Sequence, residues 1–383
     1  VDVPLIAIDM HPQGTAVAAA LGDGSILVID AVTGDARSFA GAHPNAYLGD
    51  IAWSPDGTQI AFQFIGPRRG DPIYLLDPAD GAVAEVPRSR IEQGTRPYLV
   101  WSPEGTWLIL PVPGERCTRL VDVATGERPF TFTHAGGCYD PWAAVWSPDG
   151  SALALSGPQG IDLLDPQTGT QLAGLEGSAL GFFPQQTGHP LAFSADGRYL
   201  ISRGGRTFYN EVYPFIAWDM ASGKQVVQVD EVDGVWDGGL RLAVTATGDG
   251  FVSLKRDGRL TRIAPGENSE ETIGRLPVVL PHLSFVWSAD GRKIGSENRY
   301  GGTLVLDAAS GNLDLLAAAG QGNPALSADG RFAAVHIVET FAIVIVDIDS
   351  GAEISRLPTA TGIPHGGAFS PTAVASPTPT ATR

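Results

Sequence analysis

The sequence predicts an all-β protein, a β-propeller of eight blades with four antiparallel strands each. Three observations predict it. A Ser-Pro-Asp-Gly-like turn returns down the chain, a second turn built on Asp and Gly alternates with it, and successive copies of the first lie 39 to 53 residues apart. A period of that length, with several short strands per period, is the signature of radial sheet repetition.

The first turn is clearest in IAWSPDGTQIAF, Ile51 to Phe62. Pro at the second position presets φ, Asp at the third bonds nearby backbone, and Gly at the fourth accepts a positive φ. Close copies end at Gly105, Gly150, Gly197, Gly291 and Gly330, and weaker ones at Gly14 and Gly250. The flanks are apolar or alternating over four to six residues, the pattern of strands, so each copy joins two strands of a hairpin. The second turn places Asp30, Asp77, Asp122, Asp165, Asp219, Asp307 and Asp347 four residues before a Gly. An Asp closing a strand bonds the amides of its own turn, which predicts a structural role. The sixth unit departs from this, with Arg262 and Pro265-Gly266 at that place. The aromatic before the first turn (Trp53, Trp101, Trp146, Phe193, Trp287) is expected between neighbouring sheets, where its apolar area holds blade on blade.

These elements resemble the TolB-like and WD-like propeller repeats of bacteria, over roughly residues 3 to 358. The resemblance implies the fold and no activity. Trp218-Asp219 alone shows the Trp-Asp dipeptide of WD repeats at the second turn.

The expected organisation is an eight-bladed propeller over 1–358, a segment over 359–371 that imitates one more strand and closes or caps the ring, and a Ser/Pro/Thr-rich tail over 372–383. The start at Val1 without Met predicts a processed product or a fragment. The net charge of −17 argues against a nucleic-acid partner, which needs a basic face. Of the 42 Asp and Glu, 14 belong to the two turns, so the charge marks turn chemistry first. No run of 18 apolar residues exists; Phe332 to Ile348 is broken by His336 and Glu339, so no transmembrane segment is expected.

Strands labelled a to d from axis to rim put both turns on one face. The b–c and d–a connections lie on the other, and these are long and dissimilar, the usual place for function on a rigid scaffold. They hold Arg68, Arg69, Tyr139, Trp142, Arg206, Tyr209, Trp236, Arg299 and Tyr300, residue types that dominate binding hot spots. The leading expectation is a non-enzymatic scaffold that binds a protein or peptide there, in an extracytoplasmic setting (periplasmic, cell-surface or secreted), with no cofactor and a C-terminal tether. No nucleophile elbow, zinc-protease motif, P-loop or dinucleotide fingerprint occurs. The alternative is a metal-dependent enzyme, its ion held at the channel mouth by His189, His282 and His365 just before inner strands. Cys117 and Cys138 are expected on the loop-bearing face of adjacent blades, as a disulfide or as two buried thiols.

Overall fold

The computed structural model describes residues 5–39, 47–65, 72–87, 89, 99–112, 117–127, 131–134, 137–138, 144–157, 160–176, 191–203, 214–229, 242–245, 248–255, 258–266, 270–275, 285–288, 292–298, 302–307, 313–317, 324–337 and 342–358. Among them every regular element is a strand. The strands form eight antiparallel sheets, each a meander in chain order. Sheet 1 is built of Leu5–Met10, Ala16–Leu21, Ile26–Asp30 and Ala36–Phe39. Sheet 2 is built of Tyr47–Trp53, Ile60–Ile65, Ile73–Leu76 and Val83–Glu85. The later sheets repeat this order, down to Ala325–Leu326, Phe332–Ile337, Ala342–Asp347 and Ala352–Pro358 in sheet 8. The sixth unit, for all its irregular second turn, is a full sheet of Leu242–Val244, Phe251–Leu254, Arg259–Ile263 and Glu270–Arg275.

Seven sheets have four strands. Sheet 3 has a fifth, because Gly137–Cys138 folds back to pair with Thr131–His134. The cysteines therefore differ from expectation in their placement. Cys117 opens the third strand of sheet 3, and Cys138 lies on that sheet's extra strand, not in a neighbouring unit. Their side chains lie outside the described residues.

Burial explains the layering. The first strands of neighbouring sheets meet, as Leu5–Met10 does with Tyr47–Trp53 and with Ala325–Leu326. Third strands such as Ile73–Leu76 and Ala342–Asp347 are wholly buried, while fourth strands such as Val83–Glu85 face solvent. The core is a series of seams between sheets. Ala7, Ala18 and Ala20 of sheet 1 receive Trp53, Phe62 and Phe64 of sheet 2. Small residues on one face leave room for large aromatic ones from the next. Trp101, Trp146 and Phe193 take the corresponding places in the following seams; the side chain of Trp287 lies outside the described residues. Sheet 8 packs back on sheet 1, with Phe332, Ile343 and Ile345 against Ile8, Met10, Val17 and Ile29. The Ser355 hydroxyl also donates to the Gly34 carbonyl at 3.3 Å across that junction.

Candidate functional site

At the turn-bearing end of the sheets, polar side chains are spent on the turns themselves. Ser147 is typical. Its Oγ accepts the Ala152 N–H at 2.9 Å and donates to Asp149 Oδ1 at 2.6 Å. Asp149 also accepts from Ser151 N–H at 3.0 Å. Ser54, Ser102, Ser194, Ser288 and Ser327 accept the N–H five residues on in the same way, and all are buried. The turn is thus a serine-centred knot as much as a Pro-Asp-Gly bend, a role marked in the sequence only by the recurrence of Ser. The Ser147 hydroxyl, above the opposing effect of burial, holds the Asp149 carboxyl below the usual range.

The sixth copy sits two residues earlier than the sequence reading placed it. Thr245 stands in the serine position, its Oγ1 accepting Gly250 N–H at 3.2 Å, and Gly248 N–H donates to the Thr245 carbonyl at 2.9 Å. Gly248, with φ of 70°, is the turn glycine, and Gly250 opens the next strand's approach. The reason is physical: in this copy the hydroxyl that stands three residues before the glycine and accepts the N–H five residues on is that of Thr245.

The second turn follows its expected chemistry. Asp30 Oδ1 accepts Val32 N–H at 2.8 Å and Thr33 N–H at 2.7 Å, and these bonds, the Thr33 amide first, hold the carboxyl low. Asp219 and Asp347 bond Ser222 and Ser350 likewise. A basic residue just past the first turn reaches the second one in the same sheet: Arg331 Nε lies 3.1 Å from Asp347 Oδ2, and Lys293 Nζ 3.4 Å from Asp307 Oδ2. Arg331 also lies over the Phe332 ring, 4.7 Å from its centroid. These cross-turn pairs were not anticipated; basic residues one or two places after Asp-Gly, at Arg198, Lys293 and Arg331, were their only trace.

His11 replaces serine in the first copy and binds two sheets together. Its Nδ1 accepts Gln13 N–H at 3.1 Å, so Nε2 carries the hydrogen and donates to the Gly57 carbonyl at 3.2 Å. The ring meets Trp53 edge-on at 4.8 Å. Burial lowers its pKa, against the Gly57 bond and the charge of Asp56. Two further carboxylates, Asp9 and Asp50, are buried on the first strands of sheets 1 and 2. Neither was singled out in the sequence, although a lone Asp inside an apolar strand was the available signal.

The opposite end of the sheets carries the b–c and d–a connections by strand direction alone. Arg68 and Arg69 belong to the segment between Ile60–Ile65 and Ile73–Leu76. Arg206 and Tyr209 precede Phe215–Asp219, and Arg299 and Tyr300 precede Gly302–Asp307. Tyr139 and Trp142 precede Ala144–Trp146, and Trp236 precedes Leu242–Val244. His189 and His282 precede Leu191–Phe193 and Phe285–Trp287, and His365 follows the last strand. All of these side chains lie outside the described residues. Among the described residues, no three His, Cys, Asp or Glu side chains group as metal ligands, and no helix is long and apolar enough to cross a membrane.

No protein-family model matches the chain, and no characterised protein matches it in sequence. Solved structures do match, 1682 chains in number. One is dihydro-heme d1 dehydrogenase NirN in complex with DHE, at 18% identity and a TM-score of 0.61, covering 93% of this chain and 73% of that one. At that identity the likeness speaks to fold, and the fold it supports is the β-propeller.

Proposed function

We propose that this chain is a closed ring of eight blades of the TolB-like and WD-like kind, and that it works without catalysis, holding a protein or peptide partner on its loop-bearing face. One observation carries the reading. Among the described residues, Ser, Thr and Asp side chains of the turn-bearing face bond within its own turns and in cross-turn pairs, as in Ser147–Asp149 and Arg331–Asp347. Recognition chemistry is then left to the other face, where the sequence concentrates Arg68, Arg206, Arg299 and aromatic residues. The setting is extracytoplasmic, with 372–383 as a tether. A Cys117–Cys138 disulfide suits that setting, and closing its loop of about 20 residues adds about 3 kcal/mol in the chain-entropy model. Intact-mass comparison with and without reductant checks it, a shift of two hydrogens being expected.

The test of function is photo-crosslinking of the tagged protein in envelope extract, with mass spectrometry of the products. Crosslinks from one reproducible protein to the 68, 206 and 299 segments are expected, and Arg68→Ala with Arg206→Ala should remove most of them while leaving thermal unfolding unchanged. Crosslinks scattered over the surface, or a partner held equally by the double variant, overturn the reading. Stoichiometric metal lost on His189→Ala or His282→Ala would overturn it in favour of the metal-dependent enzyme.

A further inference from the structure

Asp9 and Asp50 stand on otherwise apolar first strands, 4% and 5% exposed, and take no part in any turn. Asp9 Oδ2 accepts Trp53 N–H at 2.7 Å, and its Oδ1 accepts Met10 N–H at 3.0 Å. Asp50 repeats the arrangement one sheet on: Oδ2 accepts Leu99 N–H at 2.9 Å and Oδ1 accepts Ile51 N–H at 2.9 Å. Each carboxylate reaches from its own strand to the main chain at the first strand of the next sheet. An innermost strand has an edge without a ladder partner, and buried amides there need an acceptor. The two aspartates supply it for sheets 2 and 3.

The arrangement is confined to this sector. Asp9 lies two residues before its turn's first residue and Asp50 four before. At those places the other repeats carry residues such as Val100, Val145, Ala192 and Tyr98, and none carries a carboxylate. The remaining junctions therefore carry no acid at these positions; elsewhere a surface pair, Lys293 Nζ to Asp349 Oδ1 at 3.9 Å, links sheets 7 and 8.

We propose that Asp9 and Asp50 form a proton-responsive seam through sheets 1 to 3, closed when Asp50 is protonated and loosened when it is ionised, baring the main chain at Leu99. The charges around it act in one direction. Among the described residues on the elements packed against Tyr47–Trp53, the titratable ones are Asp9, whose charge bears on Asp50, and His11, held at the Trp53 ring. Strands Ala16–Leu21, Ile60–Ile65 and Val100–Trp101 carry none. Burial pushes the Asp50 carboxyl up to about 7, past the opposing pull of the Leu99 and Ile51 amides, and Asp9 adds to the rise. Gln63 lies opposite Asp50 in the strand pairing and is itself buried, an amide able to accept from a protonated carboxyl.

The sign follows from linkage. A carboxyl that titrates near 7 in the seam and near 3.9 when exposed favours the closed, protonated seam. Closure is strongest below about pH 4, weakens as pH rises toward 7, and is constant above. Hydrogen exchange with peptide-level mass spectrometry reads this directly, with rates corrected for intrinsic chemistry. Protection over 47–53 and 99–101 should fall by up to about tenfold per pH unit between pH 5 and 7, then level, while 342–347 does not follow. Asp50→Asn should flatten the profile, and Asp9→Asn should move its midpoint to lower pH. A wild-type profile over 47–53 and 99–101 that parallels 342–347 overturns the proposal even if Asp50→Asn fails to fold, as does an unchanged slope in a folded Asp50→Asn. Neither result bears on partner binding at the loops.

Discussion

Gly57 occupies the turn of sheet 2 with φ of 72°, and the His11 ring from sheet 1 rests on it. A Cβ there would overlap that ring, so alanine meets both an unfavourable backbone region and a collision. Gly223, at φ of 64° in the second turn of sheet 5, has nothing within 4 Å of the same added atom. Gly223→Ala should then cost about 1 to 2 kcal/mol, the backbone term alone. Gly57→Ala should cost about 1 to 3 kcal/mol more, as the overpacking of a filled contact does. Urea unfolding of the two variants compares them, and equal losses would mean that the His11 contact does not constrain the turn. The positive φ was legible in the repeated turn; the reason Gly57 in particular is intolerant was not, because it comes from a residue 46 positions away.

At the scale of the element, the turn is held by its serine. Ser147→Ala leaves the Ala152 N–H without its acceptor and Asp149 without its hydroxyl donor. A loss of about 1 to 3 kcal/mol is expected from a buried amide left unpaired. The Asp149 carboxyl should also titrate closer to the ordinary range, since the Ser147 hydroxyl is the foremost influence holding it low. The sign is that of a depressed acid: the stability it lends is present above about pH 4 and disappears as pH falls through its folded value. Acid unfolding of Ser147→Ala should accordingly be less steep below pH 4, and an unchanged acid limb would separate the knot from Asp149. In the sequence the Pro-Asp-Gly part of this element was readable from turn chemistry. The serine's closing bond was not, since it runs across the hairpin, and the sixth turn was misplaced by two residues because Gly250 resembled the turn glycine that Gly248 is.

For the whole molecule, the contact of sheet 8 with sheet 1 decides whether the array is a ring. Removal of residues 324–358 would bare Ile8, Met10, Val17 and Ile29, which Phe332, Ile343 and Ile345 now cover. The exposed face should drive self-association, visible in sedimentation, and lower the unfolding temperature in calorimetry. A monomer with an unchanged unfolding temperature would mean that the last sheet is an appendage. A milder probe is Ile345→Ala, fully buried in that junction, with an expected loss of about 2 to 5 kcal/mol.

Outside the sixth unit, the sequence by itself determined the strands, the two alternating turns, and the aromatic positions at the seams, because period, turn chemistry and burial of apolar area are local properties that repeat from unit to unit. It pointed to a loop-bearing face for the same reason, as the part of each unit that does not repeat. Only the tertiary structure decided that Cys138 adds a fifth strand to sheet 3, that His11 rests on Gly57, and that Asp9 and Asp50 bond the next sheet's main chain. Each of these joins residues far apart in the chain or depends on which neighbour a strand edge meets. An aspartate in an apolar strand reads alike whether it faces water or a buried amide, and only packing tells the two apart.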